Sequence, residues 1–205
     1  MPIIVVMDKK SSSFHHGNLR AALLQAAFEI LDESGPDAIT IREVARRSGV
    51  SHAAPVNHFK NRTELLTVVA TMLFRELDSA ISAKLAGHST SPAESVRSFA
   101  NTLITFGLEN PGRYQLLWRR DLVDNSNPDL QAAMDGIYDK LIAVIDRSNT
   151  KARFDKHTFA IAIWSLAHGY VTMRLNQNFE PMNDSLTGQS RQDAIIETVI
   201  LSLGI

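Results

Sequence analysis

The 205-residue chain contains no cysteine. That single absence excludes a disulfide framework, thiolate zinc sites and a cysteine nucleophile. No apolar run approaches the length of a membrane span. The N-terminal Ile3-Ile4-Val5-Val6 is too short for a signal-peptide core, and Asp8-Lys9-Lys10 follows immediately. A soluble, cytoplasmic protein is therefore expected, with residues 1–12 as a flexible arm. Strand-like alternation, internal repeats and low-complexity segments are missing as well. No H-x-x-x-H pair exists and no acid is spaced for a metal site, so neither metal nor cofactor is expected. Charge of one sign is also scarce, the net being −1, while 44% apolar residues suffice for a core.

What is present is concentrated between Thr40 and Arg62. Thr40 and Glu43 stand at the spacing of a capping box, and Ile41, Val44 and Ala45 give the following helix a narrow apolar face. Gly49 suits the left-handed residue that ends a helix, and Ser51 suits the cap of the next one. Two short helices around a glycine turn form the unit that sets a recognition helix in a DNA major groove. Five bases (Arg42, Arg46, Arg47, Lys60, Arg62) face one acid, Glu43, over this stretch. A charged stretch alone is ordinarily a solvated helix face. Coinciding with a helix-turn-helix, it reads as a local polyanion-binding patch.

Helical signals fill the rest of the chain, and an all-α protein of about nine helices is expected. Leu19, Leu23, Leu24, Ala27, Phe28 and Leu31 line a first helix closed by Ser34-Gly35-Pro36. Asn61 and Glu64 start a long helix through Ile81, broken at residues 87–89. Ser91-Pro92-Ala93-Glu94 and Asn127-Pro128 are cap-plus-proline starts, with Asn110-Pro111-Gly112 between them leading into a short helix through Trp118. A very apolar helix runs from Phe154 to about Asn176. After a polar loop, 178–190, the last helix carries Ile195, Ile196, Val199, Ile200 and Leu203. The division between head (13–62) and body (63–205) falls near Arg62, so the long helix is anchored in both.

Arg20, Leu23-Leu24, Ala26-Ala27, Gly35, residues 40–45, Gly49-Val50-Ser51, His58-Phe59 and Glu64-Leu65-Leu66 together resemble the TetR/AcrR family of one-component transcriptional regulators. The likeness covers about residues 15–73. In the body, Pro111-Gly112-Arg113-Tyr114 and residues 164–169 resemble the subfamily named for a Trp-His-Gly motif. The resemblance implies a homodimer formed through the last two helices, a palindromic double-stranded operator, and usually repression relieved by a small effector in the body. The apolar stripe of the last helix fits an interface and equally fits a buried terminal helix.

By the same resemblance, Arg42 faces the groove, where arginine can bond both acceptors of guanine. His52, Ala53, Ala54 and Asn57 are the groove-facing positions of the second helix, beside the caps Thr40 and Ser51. His58 and Arg62 match backbone-holding positions, and Lys60 adds charge. Pro55 removes a backbone donor within that short helix, and Val56 replaces a common tyrosine whose hydroxyl bonds phosphate. For the body, Phe106, Tyr114, Trp118, Tyr138, Trp164, His168 and Met173 are expected to line an effector cavity suited to a small, largely apolar molecule, although aromatics at helical spacing are more often plain core. Gly169 in mid-helix costs about 1 kcal/mol relative to alanine, which close packing or room for a ligand would explain. Two alternatives stand beside this reading: a ligand-independent or activating DNA-binding regulator, and a helical enzyme using His168 as base or His157 as metal ligand. Ser51-His52 is adjacent in sequence only, which is no nucleophile–base pair.

Overall fold

The computed structural model describes residues 16–86, 91–147 and 155–204, without the side chains of 16–18 and 203. The N-terminal arm, His15, the break at 87–89 and Phe154 lie outside the described residues, as does the side chain of Leu203. Within them are eight α-helices: α1 (His16–Ser34), α2 (Ile41–Arg47), α3 (Arg62–Ala86), α4 (Pro92–Glu109), α5 (Pro111–Trp118), α6 (Pro128–Asp146), α7 (Lys156–Leu175) and α8 (Arg191–Leu203). Two 3-10 turns, Pro36–Ala38 and Ala54–Asn57, complete the order.

The cap signals act where they stand. Thr40 accepts from Glu43 N at 3.1 Å, Asn61 from Glu64 N at 2.9 Å, and Asn127 from Leu130 N at 3.1 Å. Ser91 accepts from Glu94 N and Ser190 from Asp193 N. Each bond satisfies a backbone donor that the first helical turn leaves free. Of the α1 stripe, Leu23, Ala27 and Leu31 are inaccessible to solvent and Leu24 is buried, while Leu19 and Phe28 are partly buried at its border.

One continuous apolar core runs through the whole chain, from Leu23 and Leu31 of α1 through Leu65, Leu73 and Leu77 of α3 to Ile196 and Ile200 of α8. The long α3 packs on α1 at its start and on α4 and α6 further along. It is thus the shared spine that its anchoring in both parts suggested. A second bridge is α5, which packs against α1 and the first 3-10 turn. There the N-terminus of α5 meets the C-terminal turn of α1, two helix ends whose partial charges are opposite. A Cβ on Gly112 would lie 2.1 Å from the Leu31 carbonyl oxygen, so only glycine allows this approach. Arg113 then reaches Asp32 through Nε and a terminal nitrogen at 2.7 and 2.8 Å, and its guanidinium lies 5.4 Å from the Phe28 ring centroid.

The ninth expected helix, the recognition helix, is a single 3-10 turn. Pro55 supplies no N–H, while its carbonyl accepts from both His58 N and Phe59 N at 2.9 Å. Ala54 N to Ser51, Val56 N to Ala53 and His58 N to Pro55 are bonds of the i to i+3 kind, and Phe59 N adds one i to i+4 bond where the turn ends. Ala53, not Ser51, precedes this turn, and Ser51 contributes its carbonyl to Ala54 N. Gly112→Ala is expected to lower stability by about 1–3 kcal/mol, the usual cost of overpacking. Urea melts of the two proteins check it; equal midpoints would contradict the close contact.

Candidate nucleic-acid interface and effector cavity

The tip of the head is built from α2, the Gly49 turn and the 3-10 turn. Gly49 has φ +68°, and Val50 N returns to the Ala45 carbonyl, so the chain reverses without a Cβ clash. Val44, Ala45, Pro55 and Phe59 are buried beneath the tip, and the Arg20 guanidinium lies 5.3 Å from the Phe59 ring centroid. Thr40, Arg42, Ser51, His52, Ala53, Asn57 and Lys60 are exposed; Ala54 and His58 are half-buried. Val56 stands 57% exposed at the same tip, an unusual place for valine in a free surface.

The five bases divide into three groups. Arg46 is bonded to Glu43 at 2.6 and 2.8 Å, and Arg47 to Glu33 at 2.6 and 2.7 Å. These bonds hold both carboxyls below the ordinary glutamate range. Arg62 donates from Nε to the Ile39 carbonyl at 2.6 Å and from a terminal nitrogen to the Pro36 carbonyl at 2.8 Å. It is a strut between α3 and the segment leading into α2, with these two donors engaged inside the head. Arg42, Lys60 and Arg62 have no ion-pair partner among the described residues, and of these Arg62 alone is held by backbone carbonyls.

In the body, α5 and α7 border an open cavity of about 300 Å³ lined by Tyr114, Gln115, Trp118, Arg119, His168, Thr172, Leu175 and Asn176. Tyr114 Oη lies 2.7 Å from His168 Nδ1, and the two rings stack at 5.6 Å. Burial pushes the Tyr114 phenol well above its usual range, with the nearby Trp118 N–H opposing weakly. Burial also lowers the His168 imidazole from its ordinary 6.5. A protonated phenol donating to Nδ1 leaves the neutral ring its proton on Nε2. Trp118 Nε1 is buried and makes no hydrogen bond of acceptable geometry. Trp164 stands behind, its ring perpendicular to Trp118 at 5.6 Å and tilted against Phe99 at 6.1 Å.

The seven residues expected around one cavity are therefore distributed. Tyr114, Trp118 and His168 share this one, backed by Trp164. Met173 lines a separate apolar groove of about 450 Å³ between α7, the loop after it and α8. Phe106 borders a charged cleft of about 530 Å³ along α3 and α4. Tyr138 pairs with His157, Oη to Nδ1 at 3.1 Å, beside the end of α6. Tyr138 stacks on His157 at the start of α7, and Met173 faces the α8 side of α7. Gly169 has no heavy atom within 4 Å of a would-be Cβ and borders the Met173 groove, so close packing does not explain it. Sequence reading missed Arg119, which follows Trp118 directly and is the one charged residue of the lining. It also missed the Arg113–Asp32 bridge, for which the Pro-Gly-Arg-Tyr run was the available signal. No group of three or more potential metal ligands and no helix long and apolar enough to cross a membrane occurs among the described residues.

An N-terminal helix-turn-helix joined by a shared helix to a larger helical body is the architecture of a DNA-binding regulator. Residues 23–69 match the bacterial regulatory proteins of the tetR family, and residues 96–197 match the tetracyclin repressor-like C-terminal domain. The chain belongs to the TetR family. It is similar to an uncharacterized HTH-type transcriptional regulator of Mycobacterium tuberculosis, 24% identical over 156 residues, 76% of this chain and 70% of that protein. An HTH-type transcriptional repressor of the same organism is 32% identical over 87 residues, covering 42% of this chain and 43% of the relative. Among solved structures, a Rhodococcus protein of unknown function superposes with a TM-score of 0.78 at 23% identity, covering 95% of this chain and all of that one. A tetR-family regulatory protein from Rhodococcus gives 0.65 at 18% identity, with 90% and 96% covered. At these identities the structures establish the shared fold.

The depressed His168 pKa carries a pH signature. The unfolded chain takes up that proton first, so the stability it contributes is complete above pH 6.5 and is lost as pH falls from there toward the folded value. Urea melts between pH 7.5 and 5 should show this fall, and His168→Gln should flatten it. An unchanged slope in the variant would contradict the assignment.

Proposed function

We propose that the protein is a homodimeric repressor that holds a palindromic operator and releases it when a small, largely apolar molecule enters the α5–α7 cavity. The observation that carries this reading is the double duty of α5. Its first residues are locked onto α1 of the head through Gly112 and Arg113, and its last turn supplies Trp118 to the cavity wall. A ligand that favours a different setting of α5 would shift the spacing of two heads in a dimer, which must stand about one DNA turn apart. Affinity for operator then falls by the ligand's differential affinity for the two settings.

For DNA, Arg42 is the base reader, exposed and without a competing carboxylate. His52, Ala53, Ala54 and Asn57 line the same tip, and Thr40, Ser51, His58 and Lys60 hold the backbone. Val56 supplies an apolar surface in place of a phosphate bond. Salt dependence should be shallower than five free bases would give, since the slope scales with the charges that meet phosphate and Arg46 and Arg47 are already paired. The reading also sites the protein in the cytoplasm, with the DNA. The Trp-His-Gly subtype is favoured by Trp164 and His168 of α7, each meeting Trp118 edge-on beside the cavity.

Dimerisation through α7 and α8 is supported by where large apolar side chains remain uncovered. Ile161, Met173, Met182, Leu186 and Leu201 all lie on α7, α8 or the loop between them, Leu201 being 69% exposed. Clustered apolar exposure of this kind marks an interface. The pair Ile161→Asp and Leu201→Asp should convert the dimer to monomer in sedimentation analysis; an unchanged mass would contradict this surface.

The direct test is a footprint on the DNA upstream of the protein's own gene, followed by a screen for compounds that abolish it. Arg42→Ala should reduce affinity for the protected sequence far more than for random DNA. A discriminating base contact is commonly worth about 1–3 kcal/mol. Arg62→Ala should lower the melting temperature and weaken all sequences alike. No protected sequence would sink the reading. Protection that no compound relieves would leave a ligand-independent regulator.

A further inference from the structure

The chemistry of the cavity lining is one-sided. It holds one formal charge, Arg119, and no carboxylate. The other polar groups are Gln115, Thr172, Asn176, His168 and the buried, unpartnered N–H of Trp118. Aromatic walls with hydrogen-bond donors and a cation suit a compact apolar body bearing an anionic oxygen pair. The cleft along α3 and α4, by contrast, carries Glu76, Glu94 and Glu109 beside Lys84 and Arg97 and offers no such selection.

Arg119 is also where the cavity touches the head. Its Nε and one terminal nitrogen meet the two Asp121 oxygens at 2.9 Å each, and its other terminal nitrogen meets Asp37 at 3.0 Å. Asp37 belongs to the 3-10 turn Pro36–Ala38, whose Pro36 carbonyl, with that of Ile39, holds Arg62 at the start of α3. Thr40, the cap of α2, follows at once. Asp37 and Asp121 are both largely exposed, and ion pairs in water contribute little. A carboxylate delivered beside Arg119, against Trp118 and Tyr114, would compete for the terminal nitrogen that Asp37 holds by a single bond.

We infer that the effector is a small carboxylate with an aromatic or aliphatic body, and that its carboxylate takes Arg119 from Asp37 of the head. The inference rests on the effector reading above and adds the ligand's chemistry and the contact through which it acts. Freeing Asp37 loosens the segment that seats α2 against α3, and the linkage is reciprocal: operator-bound protein holds the carboxylate less tightly.

The two tryptophans of the chain, Trp118 and Trp164, both stand at this site, so their emission reports on it without DNA. The probes are benzoate, phenylacetate, 3-phenylpropanoate and octanoate, each beside its primary amide. At least one carboxylate should change the emission saturably and bind tenfold or more tighter than its amide. Arg119→Gln should abolish that preference at unchanged melting temperature, Arg119→Lys should retain part of it, and Asp37→Asn should tighten carboxylate binding several-fold. If no carboxylate outbinds its amide, or Arg119→Gln keeps the preference, the inference is overturned. Operator affinity measured with the same probes separates the two claims. A carboxylate preference without operator release upholds the site's chemistry and defeats the gating, whereas release by a neutral compound alone overturns the inference and leaves only the effector reading above.

Discussion

Where α1 ends and α5 begins, backbone meets backbone with no side chain between. The Leu31 carbonyl faces Gly112, and the neighbouring Arg113 closes on Asp32, with Glu76 of α3 at 3.3 Å. This junction makes the head part of the body. Without it, α3 would be the sole rigid connection, and a helix alone allows bending along its length. With it, three elements (α1, α3 and α5) are tied at one point, and any resetting of α5 is felt at the helix-turn-helix.

The same economy explains the charges of the head. A basic patch counted from sequence overstates what is available to a polyanion, because Arg46 and Arg47 are consumed locally and Arg62 holds two carbonyls. What remains is narrow: Arg42 and Lys60, with His52 and Asn57 at the tip. The segment leading into α2 is seated on the start of α3 through the Pro36 and Ile39 carbonyls and Arg62. The body reaches the same segment through Arg119 and Asp37.

Much of the architecture was legible in the sequence because its signals are local. Caps at Thr40, Asn61, Ser91 and Asn127 and the left-handed Gly49 act within a few residues of themselves, and the helices follow. The recognition element was legible in place but not in form, since Pro55 left a single 3-10 turn where a helix was expected. The cavity was only partly legible. Tyr114, Trp118 and His168 meet because α5 crosses α7, whereas Tyr138 and Met173 share the composition of a pocket without sharing its location. Periodicity tells which face a residue lies on, not which neighbour that face meets. Arg119 and Asp32 escaped for a related reason: their partners stand 82 and 81 positions away.

The dependence of DNA reading on the α1–α5 junction can be measured by a double-mutant cycle on Asp32→Ala and Arg113→Ala, read as operator affinity at fixed ionic strength. Neither residue lies at the DNA-facing tip. Each single change should weaken operator binding, and the double change should be little worse than either, with a coupling of about 0.5–3 kcal/mol. Wild-type affinity in both single variants, or effects that simply add, would mean that the head takes its position from α3 alone.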